Sequence, residues 1–227
     1  MTEVATQAVN STFKSTKPAI LNFPQLTEAK KFKDPVTGVV ADKAYFTTQA
    51  VFSKDHPDIA RIKAAAVAVA KEKWPGRDIA ADYKSGAIGM PWELGDAKIA
   101  ELTAKATAKN KKAPETGHLV GALILKAKTG EDKPPILTLI EGGAATILDS
   151  GTLVAQNKNK FYSGVDALLV LNFRAGTFAK RDYVTAYIRQ VTSLNTGKKL
   201  VGGEVETFSD YVGKETTENP LNDEIPL

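Results

Sequence analysis

Residues 165–191 read VDALLVLNFRAGTFAKRDYVTAYIRQV, and the fold turns on how this run divides. Val165 to Arg174 is apolar almost throughout, with Asp166, Asn172 and Arg174 on its less apolar face. Tyr183 to Val191 alternates: Val184, Ala186 and Ile188 point one way, Tyr183, Thr185, Tyr187 and Arg189 the other. A period of two belongs to strands that press one face on a core and leave the other to solvent. Two strands in succession predict a hairpin.

The same pattern recurs upstream. Lys43 to Phe52 alternates, with Ala44, Phe46, Thr48, Ala50 and Phe52 on one face and Lys43, Tyr45, Thr47 and Gln49 on the other. Ala19 to Phe23 reads as a short strand, and Pro35 to Gly38 carries a turn signal before the next one. Leu119 to Lys128 and Ile136 to Ile140 read as two more strands, the second followed by a turn at Gly142-Gly143. Asp55 to Trp74 is the clearest helix: Asp55 or His56 can cap it, Pro57 and Asp58 suit its first turn, and Pro75-Gly76 ends it. Its stripe of Ile59, Ile62, Ala66 and Val69 can dock on a sheet. Asp96 to Lys112 predicts a second helix with only Ile99 and Leu102 to bury, a surface excursion between strands. About six strands with one good helix after the second predict a mainly β (α+β) chain, a small barrel with inserted helices.

At 227 residues, 43% hydrophobic and without cysteine, the chain can bury a core but cannot build a disulfide scaffold, an iron–sulfur site or a thiol nucleophile. No apolar run approaches the roughly 20 residues of a membrane span. Met1 to Lys17 lacks the basic start and apolar stretch of a signal peptide, so a cytosolic protein is expected.

The formal net charge of +4 hides a division. Residues 204–227 hold seven acids against Lys214 alone, a net of −6, which leaves +10 on residues 1–203. The last stretch, VGKETTENPLNDEIPL, has two prolines and no helical or strand period, and is expected to be mobile. It closes on Asp223, Glu224, Ile225, Pro226 and Leu227, acids followed by an apolar tip. Three segments are therefore expected: a loose stretch 1–16, a folded body 17–203 and an acidic tail 204–227.

The common enzyme signatures do not occur. There is no glycine-rich phosphate loop, no Gly-x-Gly-x-x-Gly opening a helix and no Gly-x-Ser-x-Gly elbow. His56 and His118 are the only imidazoles; the first reads as a helix-start residue and the second as a strand-start residue. No cofactor and no metal site is expected.

The outward strand faces offer something else. A single-stranded nucleic-acid site needs cations to track phosphates and rings on which bases stack, each stacked base contributing roughly 1–3 kcal/mol. Tyr183, Tyr187 and Arg189 share one face, Lys43 and Tyr45 share another, and Lys126 and Lys128 end a third strand. Between strands lie Lys158, Lys160 and Tyr162, then Arg174, Phe178 and Arg181. Cations spread among rings, with no basic block, fit stacking on single strands better than a helix reading the major groove.

These features come with a resemblance. Phe161-Tyr162-Ser163-Gly164 precedes an apolar strand, a hairpin leads into Val184-Thr185-Ala186-Tyr187-Ile188-Arg189-Gln190-Val191, and Gly197-Lys198-Lys199-Leu200-Val201-Gly202-Gly203 follows. Upstream, Gly117 to Lys128 ends in Leu-Lys-Ala-Lys before Pro134-Pro135. Together they resemble the single-stranded-DNA-binding proteins of tailed bacteriophages over most of residues 17–203. The resemblance implies an OB-fold antiparallel barrel that coats single-stranded DNA during phage replication and recombination in the cytoplasm of the infected bacterial host. It implies no enzymatic activity. It also implies that the acidic tail, through Asp223, Glu224, Ile225 and Leu227, competes for the DNA groove and recruits partners such as a polymerase or helicase, with homo-oligomers possible. The rival readings are a virion or scaffold structural protein and, third, a nuclease.

Overall fold

The computed structural model describes residues 12–33, 40–178 and 181–200, the side chains of residues 32, 33, 41 and 178 excepted. In chain order the elements are β1 (Thr12–Lys14), β2 (Ala19–Lys33), β3 (Val40–Phe52), α1 (Asp58–Lys73), α2 (Ile79–Lys84), β4 (Ile88–Gly89), β5 (Trp92–Leu94), α3 (Gly95–Ala108), β6 (Leu123–Gly130), β7 (Ile136–Glu141), β8 (Ala144–Leu148), α4 (Gly151–Gln156), β9 (Asp166–Phe178) and β10 (Arg181–Ser193). Short 3₁₀ turns fall at Gly117–Leu119 and Lys158–Lys160.

The alternating run that predicted a hairpin forms one. β9 and β10 pair antiparallel from Arg181 opposite Phe178 to Ser193 opposite Ala167. Val184, Ala186 and Ile188 are buried, while Tyr183, Tyr187 and Arg189 keep access to solvent. From this hairpin the pairings run around a ring: β9 to β2, β2 to β3, β3 to β6, β6 to β10, and β10 back to β9. That circuit encloses the core, and closure removes the free edges that an open sheet would present. The strands are not all antiparallel as expected: β10 runs parallel to β4, β6 and β7. The reason is topological, because β6 and β10 are neighbours in the ring but not in sequence, and the chain between them returns to the same end.

Inside the ring, Leu21, Phe52, Leu125, Leu169, Leu171 and Phe173 are fully buried and belong to one hydrophobic cluster. α1 joins that cluster through Ile62, Ala66, Val69 and Ala70, with Ile59 of the stripe read from its sequence only partly buried against it and Ala70 added. Its cap differs from expectation. The helix starts at Asp58 behind Pro57, and the Asp58 amide donates to Nδ1 of His56 at 3.2 Å, while Asp55 does not cap it. The fully buried Asp58 carboxylate accepts from the Thr16 amide at 2.7 Å and the Thr16 hydroxyl at 2.9 Å, and pairs with Arg61. It ties the chain just before β2 to the helix.

Other expectations are corrected. Part of the segment read as loose is ordered: β1 pairs with β9, and Phe13 is buried edge-on to Phe173. A single apolar side chain between polar ones gave no period to read. The strand from Ala19 runs on to Lys33, because backbone pairing with β3, not burial, holds its polar half. More strands form than six, and α2 and α4 are helices too short to show a period. His118 sits in a 3₁₀ turn instead of starting a strand, since β6 begins only at Leu123. The turn signal at residues 35–38 and the tail 204–227 lie outside the described residues. The β7–β8 turn is as read: Gly142 and Gly143 take φ of 57° and 83°, the left-handed pair that a two-residue hairpin requires.

α3 decides which outer surface stays open. At one end of β3 and β6, Val51 and Ile124 face outward and are buried under Leu119, Ala122, Ile99 and Leu102, so helix and turn roof this end. At the other end the same strands leave Tyr45, Lys126 and Lys128 to solvent.

Candidate nucleic-acid interface

The uncovered end of the barrel wall carries a row of residues in register. Gln25 on β2 lies opposite Thr47 on β3, Thr47 opposite Lys128 on β6, Lys128 beside Tyr187 on β10, and Tyr187 opposite Asn172 on β9. The row crosses all five strands of the ring, a path of about 19 Å at the usual strand spacing. Strand periodicity puts these side chains on the outside, since their neighbours Ala127 and Ala186 are buried within.

A groove of about 510 Å³ opens on this row. Lys43, Tyr45, Arg174, Tyr187 and Arg189, all expected from sequence, line it together with Lys133, Ile136, Asn172 and one carboxylate, Asp132, which pairs with none of these cations. The ammonium of Lys128 stands 5.1 Å from the Tyr45 ring centre, and the guanidinium of Arg174 stands 5.5 Å from that of Tyr187. Each ring thus carries a cation beside it, held by attraction to its π face. Arg189 sits where the β9–β10 register shifts, a bulge between Ile188 and Gln190. A bulge leaves its residue out of the ladder and re-aims the side chain.

Charge separates the cations into two groups. Among the described residues, Lys43, Lys128, Lys133, Arg174 and Arg189 have no carboxylate partner, and these line or border the groove. Lys126 is engaged by Glu93 at 2.7 Å and Lys160 by Glu141 at 2.5 Å. A phosphate could therefore meet the first group without displacing an ion pair.

Several expected residues lie elsewhere. Tyr183 is further along β10, opposite Gly176 and beside Gly89, outside the groove. Its neighbour Asp182 is fixed by Arg77 at 2.6 Å and by the Thr177 hydroxyl, and Arg77 also holds Asp82 at 2.7 Å. Arg181 is exposed at the hairpin end. Tyr162 plays a structural part, because its hydroxyl donates to the carbonyls of Thr196 (3.2 Å) and Gly197 (3.0 Å). Lys158 borders a separate apolar depression with Leu26, Phe46 and Val154. The side chain of Phe178 and all of Asp223, Glu224, Ile225 and Leu227 lie outside the described residues.

Sequence reading missed Lys133 and Ile136 as groove residues. Lys133 stands beside Pro134-Pro135 in a loop with no period, and Ile136, 51% exposed, looked like an ordinary strand start. No group of three or more potential metal ligands occurs among the described residues.

No family model and no curated protein sequence matches the chain. Solved structures do. The single-stranded-DNA-binding protein of bacteriophage Enc34, in complex with single-stranded DNA, superposes with a TM-score of 0.59 at 13% identity, covering 87% of this chain and 97% of that one. The same phage protein without DNA gives 0.57 at 14% identity, over 91% and 97%. The gp2.5 single-stranded-DNA-binding protein of bacteriophage T7 gives 0.50 at 11% identity, over 92% and 98%. With identities this low the likeness lies in the path of the backbone, and it agrees with the ring of pairings: the chain has the fold of the bacteriophage single-stranded-DNA-binding proteins.

Proposed function

We propose that this chain is a non-enzymatic single-stranded-DNA-binding protein. The observation that carries the reading is the groove in which Tyr45 and Tyr187 each stand beside a cation, bordered by further cations that no carboxylate of the described residues engages. Rings of this kind stack bases of any sequence, and the cations around them track phosphates. The likeness of fold to phage proteins solved as single-stranded-DNA binders supports the same reading. Labelled oligothymidylate binds at low salt and unlabelled duplex of equal length competes poorly; absence of binding at low salt overturns the proposal.

The finer reading concerns the tail. Residues 204–227, at −6, compete with DNA for the +10 body and offer Asp223, Glu224, Ile225 and Leu227 to replication partners such as a polymerase or helicase. Removing them raises affinity for oligothymidylate; unchanged or weaker binding contradicts the competition. The setting that fits is phage replication and recombination in the host cytoplasm. No helix of the described residues is long and apolar enough to cross a membrane.

A further inference from the structure

Phe23 is the most exposed large apolar side chain of the described residues, at 64%, and its backbone is held where phenylalanine does not rest by itself. Its φ is +47°, in the left-handed region that costs a bulky residue roughly 1–3 kcal/mol. It precedes Pro24, and β2 loses register with β3 between Asn22 and Gln25, so Phe23 and Pro24 form a bulge. The bulge is fastened by the segment just before β9, the strand beside β2. The Phe23 amide donates to the Ser163 hydroxyl oxygen at 3.3 Å, the same hydroxyl donates to the Asn22 side chain at 2.8 Å, and the Gly164 amide donates to the Leu21 carbonyl at 2.7 Å. Burial does not explain the strain, because the ring points outward.

The ring borders a second groove of about 520 Å³, lined also by Gln25, Thr47, Gln49, Lys126 and Lys128. This groove adjoins the first along the row that crosses the barrel, with Lys128 between them: its ammonium leans on Tyr45 of the first groove, and the residue lines the second. Among the described residues no carboxylate lines the second groove; Lys128, Lys126 (paired with Glu93) and two carboxamides do. A neutral apolar partner would gain nothing from Lys128, whereas an anionic strand with flat bases would meet both the ring and that unpaired lysine.

We propose that Phe23 is a base-stacking platform in a second subsite, so that a single strand of DNA leaves the Tyr45–Tyr187 groove, passes Lys128 and lays a further base on the Phe23 ring. The inference rests on the reading of the chain as a single-stranded-DNA binder. It adds a contact surface on β2, and the strained bulge is the device that presents it.

The test uses the full chain and labelled oligothymidylates of increasing length. Phe23→Ala and Phe23→Gly weaken binding of long oligothymidylate by about fivefold or more, the loss expected for one stacked base, and leave the shortest bound oligothymidylates unaffected. Phe23→Gly at the same time keeps or raises the thermal midpoint, since glycine accepts the positive φ without strain. Phe23→Trp retains affinity, and its added indole fluorescence is quenched by oligothymidylate. Wild-type affinity of Phe23→Ala at every length, or indole fluorescence unmoved by DNA that binds, overturns the second subsite. If the unaltered chain fails to bind oligothymidylate at low salt, the functional reading and the subsite fall together. If it binds, and Tyr187→Ala weakens it while the Phe23 variants do not, only the subsite falls.

Discussion

Tyr187 and Asp58 illustrate two fates of a polar side chain on a barrel. Tyr187 is half-buried among strand neighbours, lines the groove, and carries the Arg174 guanidinium over its ring. Truncating Tyr187→Ala is expected to lower oligothymidylate affinity by about five- to a hundredfold, while Tyr187→Phe keeps most of it; anisotropy titrations check both. Asp58 is spent on structure. Burial alone would raise its pKa, but the Thr16 amide, Arg61, the Thr16 hydroxyl and the Lys17 amide together hold it below the usual carboxylate value. Its stabilising contribution is therefore present above the unfolded pKa and lost as pH falls through the lower folded value. Asp58→Ala is expected to cost about 3 kcal/mol in denaturant unfolding, because donors aimed at the carboxylate lose their acceptor. His118 acts at milder pH. Burial, partly opposed by Glu115, lowers its pKa, and its Nε2 finds no hydrogen-bond partner among the described residues. The unfolded chain then takes up the proton first, so stability is full above the unfolded pKa and declines as pH falls through it. Thermal midpoints recorded from about pH 7 to pH 5 should fall less steeply for His118→Leu than for the unaltered chain. The outward tyrosines were legible from alternation alone. Phe23 was not, because what turns it outward is a hydroxyl on Ser163, far away in sequence.

The β9–β10 hairpin was legible as a pair of strands, and so was the helix stripe of α1, because each has a period that burial then uses. What escaped was the reason for the glycines that flank the hairpin. Gly164 and Gly197 both take φ of +103°, and a Cβ on either would overlap backbone: the Lys198 carbonyl for Gly164, the Gly164 carbonyl for Gly197. Each is needed where two loops cross at the foot of the hairpin, and a crossing has no signature in the local sequence. Gly164→Ala should therefore cost more than about 3 kcal/mol, combining an unfavourable φ with a backbone clash. Gly176→Ala, which meets open space, should leave the thermal midpoint little changed. Circular dichroism melts of the two variants make the comparison. α3 shows the opposite limit of sequence reading: its few apolar residues marked it as a surface helix, yet its position, roofing Val51 and Ile124, is what bounds the open face.

Across the molecule, closure of the ring explains why parallel pairings appear in a chain read as antiparallel, and why one outer wall collects cations from several strands and a loop. The sequence showed an excess of +10 in the body without showing where it gathers. Among the described residues the fold separates Lys126 and Lys160, which carboxylates engage, from Lys43, Lys128, Lys133, Arg174 and Arg189, which they do not. If those five are the phosphate contacts, each releases counterions on binding. The salt dependence of oligothymidylate binding by the full chain measures this directly. The account predicts tight binding at low salt and a linear fall of log K with log salt, with a slope of about −3.5 that Lys128→Ala reduces by about 0.7. No binding at low salt, or an affinity that does not change with salt, would contradict it.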